Sequence, residues 1–332
     1  MRLLVDTRWV GKDGIGRFCR EIINRLPDFE SLPAGPARLS MLDPFWLSYT
    51  ISRCRPQVFF SPGFNPPLYS SRPFMFTIHD LIHLDIPEEG SPTKRLYYRS
   101  IVKPAVKRAS RILTVSNYSR QRILEWADVS EEKVTVVGNG ISPDFTPEGG
   151  RPAMSKPYLL FVGNAKPHKN LQRLLTAYAR CGSCHDVDLI LCAPRDNLIS
   201  SWVDELDLGR KVHITGLLDD PELSGYYRGA VALLFPTLYE GFGMPALEAM
   251  ACGAPVLSSA ATSLPEVTGD AALVIDPLDI ESITAGIERL IDDSDLRGDL
   301  RLRGLKRAKL FSWDATAGVV RGVIEEVADS SD

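Results

Sequence analysis

No run of the sequence approaches the roughly 18–20 apolar residues of a membrane-spanning helix. The opening stretch MRLLVDTRW is cut by Asp6, too early for the apolar core of a signal peptide. These two absences predict a cytoplasmic protein that is neither exported nor embedded in a bilayer. Cysteine is sparse and scattered over 332 residues, at Cys19, Cys54, Cys181, Cys184, Cys192 and Cys252. Without an export signal, free thiols are expected rather than disulfides. CGSCH at 181–185 then reads as a chance match to haem-attachment spacing. Positive charge is not in excess either, and a formal net charge of −4 argues against a nucleic-acid partner.

What is present is an alternation. Short Val/Ile/Leu-rich runs, such as RLLV, QVFF, MFTI and RILTVS, alternate with longer amphipathic patterns, and the alternation restarts after residue 155 with YLLFVG, VDLILCA, KVHITG and VALLFP. Continuous apolar strands separated by helices predict parallel sheets covered on both faces. Residues 142–157, SPDFTPEGGRPAMSKP, are rich in proline and glycine and read as a linker. The expectation is an α/β protein of two doubly wound, Rossmann-like domains, residues 1–150 and 151–310, with a terminal helix over 311–332. In such domains ligands sit beyond the carboxyl ends of the strands.

Four stretches fall at such ends. In VALLFPTLYEGFGMPALEAMACGAPV the loop after a buried strand carries Glu240, and Pro245 opens a helix that contains Glu248. Glycines before a helix amino end expose N–H groups that suit a phosphate, and a carboxylate can accept bonds from a pair of neighbouring hydroxyls. The plainer alternative is that Glu240 caps the helix and Glu248 is solvated. In FVGNAKPHKN a strand ends at Gly163, and Lys166, His168 and Lys169 follow, where cations meet a diphosphate, or simply form a solvated loop. GKDGIGRF places Gly14 and Gly16 before a helix; Cys19 stands where a dinucleotide fingerprint needs glycine, so a nicotinamide oxidoreductase is disfavoured. In FTIHD, His79 and Asp80 follow a strand.

Together these pieces resemble glycosyltransferase family four, retaining enzymes of GT-B fold with two Rossmann-like domains facing a cleft. EGFGMPALEAMACGAPV resembles its E-x7-E signature, FVGNAKPHKN its phosphate loop, TVVGNGI the segment before its linker and SLPEVTGDAALVIDP the stretch after the signature in many members. IHDLIHLDIPE and KPHKN resemble, within that family, bacterial surface-polysaccharide mannosyltransferases. The resemblance implies roles by position. Glu240 would hold donor-sugar hydroxyls and Glu248 the ribose. Phe242, Gly243 and Met244 would cradle sugar and diphosphate. Lys169 would neutralise the leaving diphosphate, and His79 would touch the sugar near its anomeric centre. Gly16 would approach a phosphate, and Gly216 with Leu217 would face the base. Asn164 stands where many members have arginine, so Lys166 or His168 is the candidate replacement cation.

The implied reaction moves a sugar, mannose from GDP-mannose first, to a glycan or lipid-linked acceptor in polysaccharide biosynthesis, by front-face attack with retention. The nucleotide sugar is a co-substrate; no cofactor or metal is expected, and the D-x-D matches at 186–188 and 293–295 read as chance. A UDP-sugar donor is the alternative. So is a non-catalytic sugar-binding subunit, although intact Glu240, Glu248, Lys169 and His79 speak against it. A GT-B epimerase or sucrose-type synthase is the nearest rival among enzymes.

The excess of Lys and Arg in the first half lies in residues 94–150. Within 94–111, Arg95, Arg99, Lys103, Lys107 and Arg111 recur every fourth residue beside an apolar face of Tyr98, Ile101, Val102, Ala105 and Ala109. Pro104 predicts a split into two helices. Such a stripe is either a solvated face over a buried one, or a surface for anionic lipid that holds the protein peripherally at the inner face of a membrane.

Overall fold

The computed structural model describes residues 1–11 and 13–330. Lys12, Ser331 and Asp332 lie outside the described residues. The described chain forms two units, one of Met1–Gly140 completed by a segment that begins at Ser312, the other Ile141–Phe311.

The first unit holds β1 (Leu3–Val5), β2 (Glu30–Ser31), β3 (Val58–Ser61), β4 (Phe74–Thr77), β5 (Arg111–Thr114) and β6 (Val134–Val136), in the order β2-β1-β3-β4-β5-β6. Every pairing is parallel. Its helices are α1 (Gly14–Ile23), α2 (Asp43–Cys54), α3 (Ile82–Asp85), α4 (Pro92–Tyr97), α5 (Lys103–Arg108) and α6 (Asn117–Ala127). Strands β3 and β4 are buried along their whole length, as strands covered on both faces must be.

The second unit holds β7 (Tyr158–Val162), β8 (Asp188–Cys192), β9 (Val212–Ile214), β10 (Ala232–Phe235), β11 (Val256–Ser259) and β12 (Leu273–Ile275), in the order β12-β11-β10-β7-β8-β9, again all parallel. Its helices are α7 (Leu171–Arg180), α8 (Asn197–Glu205), α9 (Asp220–Gly229), α10 (Met244–Ala251), α11 (Leu264–Thr268), α12 (Ile280–Asp292) and α13 (Ser294–Ala308). The chain runs outward from β7 through β8 to β9, then returns to lay β10 on the other side of β7. That reversal is the switch point at which doubly wound sheets bind ligands. α14 (Trp313–Asp329) belongs to the first unit, where Trp313 meets Phe18 of α1 at 6.2 Å between ring centroids and Asp314 accepts from Arg25 at 2.6 Å.

Four details differ from the sequence reading. The first unit closes at Gly140, ahead of the expected 150, because the Phe145 ring packs edge-on to Tyr227 and Arg228 donates to the carbonyls of Thr146 and Gly150. Cys181 and Cys184 are joined as a disulfide, not free; a tight 3-10 turn over Gly182–Asp186 carries their Cα atoms to 5.4 Å, within bonding reach. The other four cysteines are free. Pro104 stands in the first turn of α5, the second of two α-helices as expected, but the two are joined without a break: a π-turn over Tyr98–Val102 links α4 to α5, with Lys103 N–H bonded to Tyr98 O. Arg111 leaves the basic stripe, since it opens β5. Among the described residues no helix is long and apolar enough to cross a membrane.

Candidate functional site

In the second unit, the loops beyond β7 and β10 come from neighbouring strands at the switch point. The β7 loop turns over Pro167–Lys169 and enters α7 through Asn170, whose φ of +59° is left-handed. Asparagine tolerates that region better than most residues. Its buried amide donates to Pro236 O at 2.9 Å and Pro277 O at 2.7 Å, tying the loop to the end of β10. The buried His168 contributes its carbonyl, which accepts from Leu238 N–H at 2.7 Å and the Thr237 hydroxyl at 2.8 Å.

This stapling brings Lys169 to Glu240. The ammonium lies 2.6 Å from Oε1, with side-chain exposures of 14% and 12%, and 5.4 Å above the Phe235 ring. Glu240 is therefore not a helix cap; α10 has Gly243 at its N-cap and no side-chain cap at all. The backbone of Glu240 is clamped by Thr262, which accepts from its N–H and donates to its carbonyl, both at 2.9 Å, and by Ser263, whose hydroxyl reaches the carbonyls of Glu240 and Phe242 at 2.9 Å. Gly243 sits at φ +108°, and a Cβ there would lie 2.6 Å from a Leu264 methyl. Only glycine fits this entry into α10.

α10 is buried nearly all round, and Glu248 is buried with it rather than solvated. Its Oε2 accepts from the hydroxyl of Tyr227, a fully buried residue of α9, at 3.0 Å. Burial, with the Glu248 carboxylate beside it, pushes the Tyr227 phenol well above its ordinary range. Phe242 packs edge-on to Phe311 at 5.8 Å, and Met244 and Pro245 open the helix. Thus Lys169, Glu240, Phe242, Gly243, Met244 and Glu248 lie on the loops beyond two neighbouring strands, β7 and β10, and on the helix that follows β10.

The remaining candidates in this unit stand apart. Asn164 folds back to accept from Lys166 N–H at 3.1 Å, and the Lys166 side chain is exposed, which makes it the more accessible of the two candidate cations. Gly216 (φ +88°) and Leu217 (79% exposed) lie on the loop beyond the edge strand β9. Both D-x-D matches have other employment: Asp188 is buried and bonded by His213 at 3.1 Å, and Asp293 caps α13 through Leu296 N–H at 2.8 Å. Among the described residues no three His, Cys, Asp or Glu side chains are grouped as metal ligands.

In the first unit, Gly16 and His79 share a neighbourhood. Gly16 N–H is taken by the N-cap Asp13 at 2.6 Å, and a Cβ on Gly16 would fall 2.5 Å from the Gly11 backbone, so the glycine serves a close chain approach. Phe18, two residues on, meets the His79 ring edge-on at 4.9 Å. His79 follows β4; its Nε2 is 3.0 Å from Pro62 O and its carbonyl is held by the Ser119 hydroxyl at 3.0 Å. A carbonyl only accepts, so Nε2 carries the hydrogen. Burial lowers the His79 pKa to about 4, against the opposing pull of that carbonyl. The ring is thus neutral near pH 7, and Nδ1 presents a lone pair to accept from a hydroxyl.

Sequence reading missed Tyr227, Thr262, Ser263 and Asn170. Asn170 closes the quoted KPHKN, and Thr262-Ser263 directly precedes the quoted SLPEV; Tyr227 carries no signal beyond a helical pattern.

Two family models cover nearly the whole chain, glycosyltransferase family 4 over residues 7–145 and glycosyl transferases group 1 over residues 144–307. The O-antigen chain mannosyltransferase B of Escherichia coli is 31% identical over 290 residues, which is 82% of this chain and 75% of that one. The MMP alpha-(1->4)-mannosyltransferase of Mycolicibacterium hassiacum is 33% identical over 275 residues, 76% of this chain and 65% of its own length. Among solved structures, the sucrose-phosphate synthase of Thermosynechococcus elongatus superposes with a TM-score of 0.77 at 19% identity, covering 99% of this chain and 100% of that one. Anabaena HepE, solved in complex with UDP and glucose, gives 0.75 at 16% identity over 98% and 100% of the two chains. These structures share the GT-B fold of two parallel sheets. With its family signatures on the ends of β7 and β10, the chain belongs to the group 1, family 4 glycosyltransferases.

Proposed function

We propose that this glycosyltransferase moves a mannosyl unit from GDP-mannose to a glycan or lipid-linked acceptor in polysaccharide biosynthesis, with retention of configuration and without a metal. The ion pair of Lys169 and Glu240 at the switch point carries this reading. Breaking the anomeric bond of a nucleotide sugar leaves negative charge on the departing diphosphate. A cation fixed beside the uncapped amino end of α10 stabilises that charge where it develops. Glu240, released from Lys169 as the diphosphate takes the ammonium, can accept from sugar hydroxyls, and Glu248 from the ribose. His79 accepts a sugar hydroxyl through Nδ1. Mannose is favoured by the names of the relatives that this chain resembles over most of its length. The cations of residues 94–108 would face an anionic membrane that carries the acceptor.

The test is thermal unfolding with GDP, UDP, ADP and their sugar conjugates, for the parent and Lys169→Ala. A ligand at about 100 times its Kd stabilises by about 2.7 kcal/mol. GDP and GDP-mannose should raise Tm in the parent only. A response to UDP alone replaces the donor, and no response to any nucleotide removes the transferase reading in favour of a non-catalytic subunit.

A further inference from the structure

The register of β10 on β11 ends with Phe235 opposite Ser258, and beyond it side-chain hydroxyls bridge the two loops. Ser259 Oγ donates to Thr237 O at 2.5 Å, and the Thr237 hydroxyl reaches His168 O at 2.8 Å, in the turn that carries Lys169. Three consecutive residues then meet the Glu240 loop in step. Thr262 takes the N–H and carbonyl of Glu240, and Ser263 reaches the carbonyls of Glu240 and Phe242. Leu264 fills the space that a Cβ on Gly243 would need.

Thr262 is strained where it stands. Its φ is +52°, and of the described non-glycine residues in the left-handed region it alone is β-branched. Branching at Cβ makes that conformation a true outlier. Such strain persists only where the surroundings over-determine it, and it gathers at functional sites. A turn alone does not ask for it, since glycine would adopt the same φ freely. What glycine lacks is the hydroxyl. One Oγ1 accepts from Glu240 N–H and donates to Glu240 O, both at 2.9 Å, so both backbone groups of a single residue are fixed. The direction of the Glu240 side chain is fixed with them, and its carboxylate arrives 2.6 Å from Lys169 Nζ.

We propose that Thr262 is a positioning residue for sugar transfer: a strained backbone aims its hydroxyl at the Glu240 peptide groups and so sets where the Glu240 carboxylate stands against Lys169 and the donor sugar. The inference rests on the reading of Glu240 as the group that meets the sugar. It adds that the placement is held from β11, a strand that carries none of the residues assigned to the donor.

The experiment compares Thr262→Gly, Thr262→Ser and Thr262→Val in the full chain, with GDP-mannose as donor. Thr262→Gly should keep a Tm near the parent's, because relief of the left-handed strain offsets the lost hydrogen bonds. Its kcat should nevertheless fall about tenfold, with donor KM within about twofold, since a misplaced group loses most in the transition state. Thr262→Ser restores the hydroxyl and should restore kcat. Thr262→Val keeps the strain without the hydroxyl and should lower both Tm and kcat. A parent-like kcat in Thr262→Gly, or a kcat in Thr262→Ser as low as in Thr262→Gly, overturns the inference. So does a loss of kcat that simply follows Tm through the three variants. A second readout needs no donor. The coupling between Lys169→Ala and Glu240→Gln in urea unfolding should shrink by at least about half in the Thr262→Gly background, and an undiminished coupling overturns the inference. That cycle decides the positioning role even where no nucleotide stabilises the parent, which would remove the donor reading alone.

Discussion

Lys169 Nζ lies 2.6 Å from Glu240 Oε1, across loops that leave two adjacent strands of one sheet. Both side chains are largely withdrawn from water, so removing one partner strands the other. Lys169→Ala should destabilise the chain by about 3 kcal/mol, near the lower end for broken buried pairs, and Glu240→Gln by less. The double variant should recover part of the loss, with a coupling of about 1–3 kcal/mol in urea unfolding. Coupling indistinguishable from zero would make the pair incidental. Turnover should fall by about two to three orders of magnitude in Lys169→Ala, as when a fixed charge-stabilising group is lost.

Tyr227 donates to Glu248 through a 3.0 Å hydrogen bond inside the core. Tyr227→Phe leaves the shape and removes the donor, which should cost about 1–3 kcal/mol of stability. If Glu248 meets the ribose, donor KM should rise several-fold while kcat changes little. An unchanged KM with reduced stability would limit the tyrosine to a structural role.

Gly243→Ala combines a left-handed φ with a Cβ 2.6 Å from Leu264. It should destabilise by about 1–3 kcal/mol and impair turnover by displacing the start of α10. Adding Leu264→Ala relieves the clash but not the backbone strain, so the double variant should remain less active than Leu264→Ala alone.

His79 is held neutral by burial, with its pKa lowered to about 4. The unfolded chain takes up a proton near pH 6.5 and the folded chain does not. Its contribution is therefore intact above about pH 6.5, and stability falls as pH drops from there toward 4. His79→Gln should flatten that slope in a pH series of Tm. The pH–rate profile should show no inflection from this ring near 6.5; an inflection there that His79→Gln abolishes would contradict the neutral, accepting role.

Asp188 and Asp293 are engaged by His213 and by α13. Turnover should accordingly survive dialysis against EDTA. Loss on chelation that magnesium or manganese restores would refute the metal-free reading.

Both strand ends of the site were legible because a buried apolar run, a glycine turn and Pro245 or a cation cluster mark each one locally. Tyr227 was not, because its hydroxyl is buried on a helix face that reads as apolar, and its partner is one helix further on. Local rules also misled where geometry had another solution. Pro104 does stand at the start of a second helix, but the π-turn before it joins the two without a break. The four-residue spacing of cations ran past the end of α5 into β5, carrying Arg111 with it. The absence of an export signal argued for free thiols, yet the turn at 182–186 sets Cys181 and Cys184 within bonding reach. The proline- and glycine-rich stretch after Gly140 looked like linker throughout, but Phe145 anchors it to Tyr227.

The first unit is discontinuous, because α14 follows the whole second unit in the chain. During synthesis, β1 to β6 leave the ribosome with Phe18 lacking the Trp313 ring and Arg25 lacking Asp314. The second unit, contiguous in sequence, is complete before them. The order of maturation is thus inverted relative to the order of translation: the segment made first lacks its closing helix until α14 follows, and a released chain truncated after Phe311 would hold the whole second unit and an incomplete first one.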